Sequence, residues 1–183
     1  EEYLKINSTR RAENVFSTTY SLDNYNEAVE MLERIDKLVE LADQYKEKLP
    51  ESAQAPYYEL IYYPAVAVAN VNRMQIYSGL NQAYAKQNLS SANVYAALVE
   101  EAVSLDQEME QTYDKNMPGG IGNKWDGMMY QAKNAGHVGY PEWRPKGAYP
   151  VPVYVDIPDE AHMYVRLQGD SKAYDSGSAD LQD

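Results

Sequence analysis

Apolar residues recur every three or four positions through much of the first two thirds of the chain, which is the spacing of amphipathic helices. The clearest run predicts one helix over residues 25–48. Asn24 and Glu27 resemble a capping box at its start, and Pro50 is expected to end it. Its apolar positions are Ala28, Met31, Leu32, Ile35, Leu38, Val39, Ala42 and Tyr45.

The next apolar run predicts a second long helix that reaches about residue 87. Pro56 is expected in its first turn, where the missing N–H would have no partner in any case. Because Pro64 lies inside the run, we expect a kink or a break near residues 60–64. The positions predicted to face inward are Leu60, Ile61, Val68, Val71, Met74, Tyr77, Leu80 and Tyr84.

Two further helices complete the helical part. Ser90 or Ser91 is expected to cap a helix that ends before Pro118, and residues 3–19 carry a weaker helical pattern. Short connections between long helices favour antiparallel neighbours, so the chain is predicted to be mainly α, with a bundle of four to five helices over residues 1–130. The inward positions of the later helix are expected to be Val94, Leu98, Ala102, Leu105, Met109 and Tyr113.

The pattern changes beyond the bundle. Prolines recur at 141, 145, 150, 152 and 158 with alternating valines between them, which predicts an extended connector over residues 131–158. Residues 162–167 predict a single strand, and a single strand needs a sheet to pair with. Residues 159–183 are therefore expected to be the incomplete start of a β-sandwich domain or a disordered tail. Since the chain begins at Glu1 and not at Met, we expect it to come from a longer protein.

Composition excludes several classes of function. Sixteen basic and twenty-eight acidic residues give a net charge of −12, which disfavours binding to nucleic acid or to an anionic membrane. The chain has no Cys, so thiolate catalysis and disulfides are excluded. No apolar run is long enough to predict a membrane span.

The usual catalytic constellations are missing from the sequence. The paired carboxylates fall mostly on the polar faces of predicted helices, so we assign no catalytic residue. A di-iron site in a helical bundle needs Glu-x-x-His motifs, and the only histidines, His137 and His162, lie outside the predicted helices. We therefore expect no metal and no cofactor.

Aromatic residues supply the remaining candidate site. The chain has 18 tyrosines and one phenylalanine, and the segment 123–145 gathers Trp125, His137, Tyr140 and Trp143. Aromatic faces with polar tips stack on sugar rings, but the same residues also suit a packing cluster that locks the connector onto the bundle. Both roles stay open, and these four residues are the candidate substrate-binding residues.

The order of several short segments resembles the helical region of glycoside hydrolase family 115, the xylan α-1,2-glucuronidases. The resemblance covers about residues 8–145 and is carried by these segments in order: RRAEN at 10–14, YSLDNYNEA at 20–28, YYPAVAVANVN at 62–72, YAKQNLSSAN at 84–93, KWDGMM at 124–129 and HVGYPEW at 137–143.

This resemblance implies a non-catalytic part of a larger, secreted or periplasmic enzyme. In such an enzyme a catalytic barrel precedes the helices, a β-domain follows them, and glucuronic acid is removed from xylan by hydrolysis with inversion. The helical part would support the barrel, form a wall of the substrate cleft or form a homodimer interface. Two alternatives remain: a free-standing glycan-binding or scaffold protein of a polysaccharide-uptake system, and a bundle that only oligomerises.

Overall fold

The computed structural model describes residues 1–119, 122, 124–126, 128 and 149–157, and this part of the chain is mainly helical. Within it no helix is both long and apolar enough to cross a membrane. The elements in order are α1 (Glu2–Thr9), a 3₁₀ helix (Ala12–Asn14), α2 (Glu27–Lys48), α3 (Glu51–Tyr57), a π-helical segment (Tyr58–Tyr62), α4 (Tyr63–Ala85) and α5 (Ser91–Asp114).

The N-terminal region is less helical than its weak periodicity predicts. The helix expected over residues 3–19 ends at Thr9, where Arg10 takes an extended conformation, and only a single 3₁₀ turn follows. The loop after that turn is held against α4 instead, because the Tyr20 hydroxyl donates a 2.6 Å hydrogen bond to Oδ1 of buried Asn72. Long-range anchoring has replaced local helix formation here.

Helix α2 ends where predicted, at Lys48, but it begins two residues later than predicted and lacks the predicted cap. It begins at Glu27, and the N-cap is Asn26 in a left-handed conformation. Tyr25 and Asn26 both have positive φ angles, 58° and 55°, so the chain turns sharply into the helix and Asn24 lies two residues too early to cap it. The Glu27 carboxylate instead accepts a 2.8 Å hydrogen bond from the Ser21 amide. The capping box prediction was wrong.

The region of the two prolines confirms one prediction and contradicts another. Helix α3 starts at Glu51, directly after Pro50, so Pro56 lies inside that helix and not in the first turn of a new one. The predicted disturbance before Pro64 is present as the π-helical segment at 58–62, and Pro64 occupies the first turn of α4. Proline cannot donate to the carbonyl one turn back, and the wider π turn lies where that bond would be missing.

Four positions on the predicted apolar faces are exposed, and one of them is Tyr45 near the end of α2. Leu60 and Ile61 lie in the π-helical segment, where 3.6-residue periodicity no longer applies, and Tyr58 is buried in their place. Val94 faces solvent because α5 presents Ala92 and Ala96, both fully buried, instead. Small side chains allow two helix backbones to approach closely. The prediction missed this because it favoured large apolar residues for the buried positions.

Helix α4 lies at the centre of the described part and packs against both α2 and α5. Its partners show that both neighbours are antiparallel to it. On one side, Asp36 pairs with Arg73 and Asp43 with Tyr62. On the other side, the side-chain amides of α4 donate 2.8 Å hydrogen bonds to main-chain carbonyls of α5, from Asn70 to Ala102 and from Asn81 to Ala92.

Candidate functional site

Trp125, one of the four candidate residues, packs against an aromatic cluster at the π-helical end of the fold. The buried members of this cluster are Ala55, Tyr58, Tyr113 and Met117, with Tyr62 and Tyr63 at its edge. The Trp125 indole Nε1 is buried and has no hydrogen-bond partner among the described residues. The turn that brings Trp125 here is closed by two main-chain hydrogen bonds between Met117 and Gly122, of 3.0 and 3.2 Å.

The rings of the cluster contact one another. The Tyr58 and Tyr62 rings stack with centroids 5.3 Å apart, and Tyr63 meets Tyr113 edge to face at 5.0 Å. The Lys46 ammonium lies 4.5 Å from the centroid of the Tyr62 ring. Such contacts stabilise a fold by more than the burial of their apolar surface alone would.

Two hydroxyls of the cluster have internal partners. Tyr58 donates to the Met109 carbonyl at 3.1 Å, and Tyr62 donates to Oδ1 of Asp43 at 2.8 Å. Burial raises the pKa of Tyr58 to about 12. Burial, followed by the hydrogen bond to Asp43, also raises the pKa of Tyr62. Both phenols are therefore protonated at neutral pH and act as hydrogen-bond donors.

The cluster differs from a sugar platform, which needs an exposed ring face. Tyr58 is only 3% exposed, and its ring lies against those of Tyr62, Tyr63 and Tyr113. Trp125 packs against the same rings. The other three candidates, His137, Tyr140 and Trp143, lie outside the described residues, so a sugar contact by these residues stays a prediction.

A second feature was not predicted: residues 149–157 lie on α4 and α5 and are held there by asparagine side chains. Asn81 in α4 makes two hydrogen bonds with Val153, accepting from its amide and donating to its carbonyl, both at 2.8 Å. Asn93 in α5 pairs in the same way with Val155, at 2.8 and 2.9 Å. We call these two pairs the asparagine latch.

The latch fixes the backbone of the segment and not its side chains. The N–H and C=O groups of Val153 and Val155 point to the same side, as they do for alternate residues of a β-strand. Each carboxamide presents one acceptor and one donor, as an edge strand would. The second N–H of Asn81 donates to the Ala92 carbonyl of α5. One nearly fully buried side chain therefore joins α4, α5 and the extended segment.

A third contact holds the start of the segment. The Tyr149 hydroxyl donates a 2.6 Å hydrogen bond to Oδ2 of Asp106 on α5, and Asp106 is itself buried. The three anchors lie at residues 149, 153 and 155, so the described segment follows the surface of the α4–α5 pair.

The sequence carried one signal for this site. Asparagine is a poor helix former, yet Asn70, Asn72 and Asn81 lie in the interior of α4, and all three are almost completely buried. Interior asparagines of this kind indicate polar contacts across a helix pair, although they do not reveal which segment is contacted.

No protein-family model matches this chain, and no curated protein sequence matches it significantly.

Proposed function

We propose that this chain is a non-catalytic helical accessory part of an α-glucuronidase-like glycoside hydrolase. In this proposal residues 1–130 form a bundle of four to five helices, residues 131–158 form a connector and residues 159–183 begin a β-rich domain. The order of the short segments that resemble family 115 supports the assignment. The enzyme would act outside the cytoplasm on glucuronic acid side chains of xylan.

The observation that carries the proposal is the asparagine latch. A helical part between two other domains must hold the chain that leaves it in a fixed direction. Asn81 and Asn93 do this through four main-chain hydrogen bonds of 2.8 to 2.9 Å. Because Asn81 also bridges α4 and α5, movement of the segment is coupled to the packing of the helices. Such coupling between the extended segment and the helices is what a rigid support requires.

Three carboxylates of α5, those of Glu100, Glu101 and Glu108, are exposed, whereas a general acid needs an environment that raises its pKa. Inverting glycosidases use two carboxyl groups about 6.5 to 9.5 Å apart with a water between them. In our proposal both belong to a catalytic barrel elsewhere in the full-length protein. The barrel, the β-domain and a second copy of the chain are the proposed partners.

The test is an assay of glucuronic acid release from glucuronoxylan. The isolated 183-residue chain and the full-length protein are incubated separately with the polysaccharide. We expect release by the full-length protein alone. Release by the isolated chain would overturn the non-catalytic assignment, and a full-length protein without a barrel would overturn the family assignment.

A free-standing glycan-binding or scaffold protein of a polysaccharide-uptake system is the second candidate. The excess of tyrosine favours it, since tyrosine suits both packing and sugar stacking. Affinity electrophoresis on acidic and neutral xylans separates the two candidates. Retardation of the isolated chain that is lost in Trp125→Ala or Trp143→Ala would favour the binding protein, and unretarded migration favours the support.

A further inference from the structure

Residues 149–157 run along α5 in an extended conformation, in the direction opposite to that of the helix. Tyr149 is anchored at Asp106, and Val155 is anchored at Asn93. These two helix positions are 13 residues apart in the sequence, which corresponds to about 20 Å along a helix. The chain from Tyr149 to Val155 also spans about 20 Å if each residue advances it as in a β-strand. The segment therefore has the rise of a strand.

One edge of this strand-like segment is unpaired among the described residues. The two edges of a strand carry the main-chain groups of alternate residues, and the asparagine latch occupies the edge of Val153 and Val155. The N–H and C=O groups of Tyr154 and Asp156 therefore belong to the opposite edge, which we call the outer edge. They have no hydrogen-bond partner among the described residues. An unpaired edge of this kind is a template for one further strand.

Prolines limit the outer edge to two donors. The positions of this edge before residue 154 are Pro150 and Pro152, and proline has no N–H to donate. Pro158 is the next alternate position of the sequence after Asp156. A strand on the outer edge can therefore receive main-chain N–H groups only from residues 154 and 156, which restricts its register.

The segment also exposes apolar side chains beside the outer edge. Val151 is 81% exposed, and Val153, Tyr154 and Ile157 are exposed as well. Neighbouring side chains on a paired strand cover such residues. The partner that fits this edge is therefore both extended and apolar.

The chain itself carries a candidate partner a few residues farther on. The sequence HMYVRL at 162–167 predicts a single strand that needs a sheet to pair with, and it lies outside the described residues. Residues 158–161, PDEA, separate it from the segment. This interval has the length of a hairpin loop, and proline followed by aspartate is typical of a turn.

We propose that residues 162–167 pair antiparallel with the outer edge through the main-chain groups of Tyr154 and Asp156. The two strands would form a β-hairpin that the asparagine latch fixes on α4 and α5. An isolated two-stranded hairpin is marginal in water. Here the latch already orders the first strand, so that pairing orders only the second. The β-rich part of the chain would thus start on the helices and not as a separate body.

The test is amide hydrogen exchange and NOE measurement on the isotope-labelled 183-residue chain. We expect the amides of residues 154 and 156 to exchange about tenfold more slowly than in an unstructured peptide, as one hydrogen bond each would give. We also expect cross-strand NOEs from residues 154 and 156 to residues 162–167. Dilution should change neither result, because both strands belong to one chain.

Asp156→Pro removes one donor from the outer edge and keeps the N–H groups of Val153 and Val155. Proline already occupies alternate positions of this edge, so the amides of residues 153 and 155 should stay protected and report an intact latch. We expect the protection of residue 154 to fall about tenfold and the cross-strand NOEs to disappear. Asp156→Ala, which keeps the N–H, is the matched control and should preserve both.

A second variant leaves residues 149–157 unchanged. Tyr164→Pro/Val165→Pro removes one donor from each edge of the second strand, so it acts whichever edge faces the segment. The amides of residues 154 and 156 should lose their protection in this variant, while those of residues 153 and 155 keep theirs.

Three results would overturn the inference. Amides of residues 154 and 156 that exchange as fast as in an unstructured peptide would show that the outer edge is unpaired. Protection that is lost on dilution would assign the edge to a second copy of the chain. Protection that survives the double proline variant would place the partner elsewhere. Hydrolytic activity plays no part in these measurements, so the hairpin and the proposed support function can fail independently.

Discussion

Asn81 and Val153 are 72 positions apart in the sequence and are joined by two 2.8 Å hydrogen bonds between one side chain and one main-chain residue. The same carboxamide donates to Ala92 in the neighbouring helix. Its oxygen and both of its N–H groups are therefore engaged. A residue that satisfies three main-chain groups in a buried position cannot be replaced without leaving several of them unpaired.

Replacing Asn81 by Ala should free the segment and destabilise the helix pair. Ala92 and Val153 would lose a donor, and the Val153 amide would lose its acceptor, so we expect a loss of about 2–4 kcal/mol in the free energy of unfolding. Amide hydrogen exchange at residue 153 should accelerate. Urea unfolding and exchange measured by NMR check both effects.

Asn93→Ala provides a graded comparison for this prediction. Among the described residues, the Asn93 side chain forms hydrogen bonds with Val155, and it is less buried than Asn81. Its loss should therefore cost about 1 kcal/mol and should accelerate exchange at residue 155. Asn116→Ala, at an exposed position after α5, is the matched control. Unchanged exchange at residues 153 and 155 in both latch variants would contradict the latch.

Gly79→Ala should destabilise the protein although alanine is the better helix former. An added Cβ would lie 2.5 Å from the Ser17 carbonyl oxygen, which is main chain and cannot move aside cheaply. We expect a net loss of about 1–3 kcal/mol after a gain of up to about 1 kcal/mol from helix propensity. Urea unfolding measures this effect, with Gln82→Ala at an exposed position of α4 as control. A Gly79→Ala protein as stable as wild type would contradict this close approach.

Periodicity predicted most of α2 and α5 because their buried faces repeat at helical spacing. The prediction failed at positions where the observed backbone departs from a regular α-helix. The π-helical segment moved Leu60 and Ile61 to the surface, and the positive φ angles of Tyr25 and Asn26 displaced the expected cap.

The candidate site was harder to predict than the helices. Trp125 was recognised as an aromatic residue of interest, but its packing partners Tyr58 and Tyr113 are distant in sequence. The asparagine latch was not predicted at all, because its partners are main-chain groups 62 and 72 positions away. Every residue except proline carries the same main-chain N–H and C=O groups. A main-chain partner therefore cannot be identified from the residue type in the sequence.

The protein should lose stability steeply above pH 10. Tyrosine in an unfolded chain loses its proton near pH ~10, whereas burial raises the pKa of Tyr58 to about 12. Between these values the folded state holds a proton that the unfolded state has released, so the free energy of unfolding falls as pH rises. The contribution of Tyr58 is complete below about pH 10 and is lost as the pH approaches 12.

Tyr58→Phe tests this prediction through the slope of stability against pH. The variant also loses the hydrogen bond to Met109, so its absolute stability changes at every pH and only the slope is informative. We expect a shallower decline between about pH 10 and 11.5 than in wild type. Tyr25→Phe, at a position that is 89% exposed, is the control. Equal slopes for wild type and Tyr58→Phe would show that Tyr58 does not contribute.

Trp125→Ala should act on stability and not on glycan binding. Trp125 is half-buried against the aromatic cluster, and its truncation should lower the free energy of unfolding by about 1–3 kcal/mol. Trp125→Phe, which keeps a ring, should lose less. Urea unfolding and migration in xylan gels are measured on the same samples. Wild-type retardation that disappears in Trp125→Ala without a change in stability would identify a sugar contact instead.

The proposed support function is tested most directly by the initial rate of glucuronic acid release from glucuronoxylan by the longer enzyme that we propose contains this chain. Wild type, the double variant Asn81→Ala/Asn93→Ala and the control Asn116→Ala are compared at a temperature where all three are folded. We predict that the double variant is several-fold slower than the other two, since loss of the latch leaves the following segment free to move. An undiminished rate in the double variant would contradict the account.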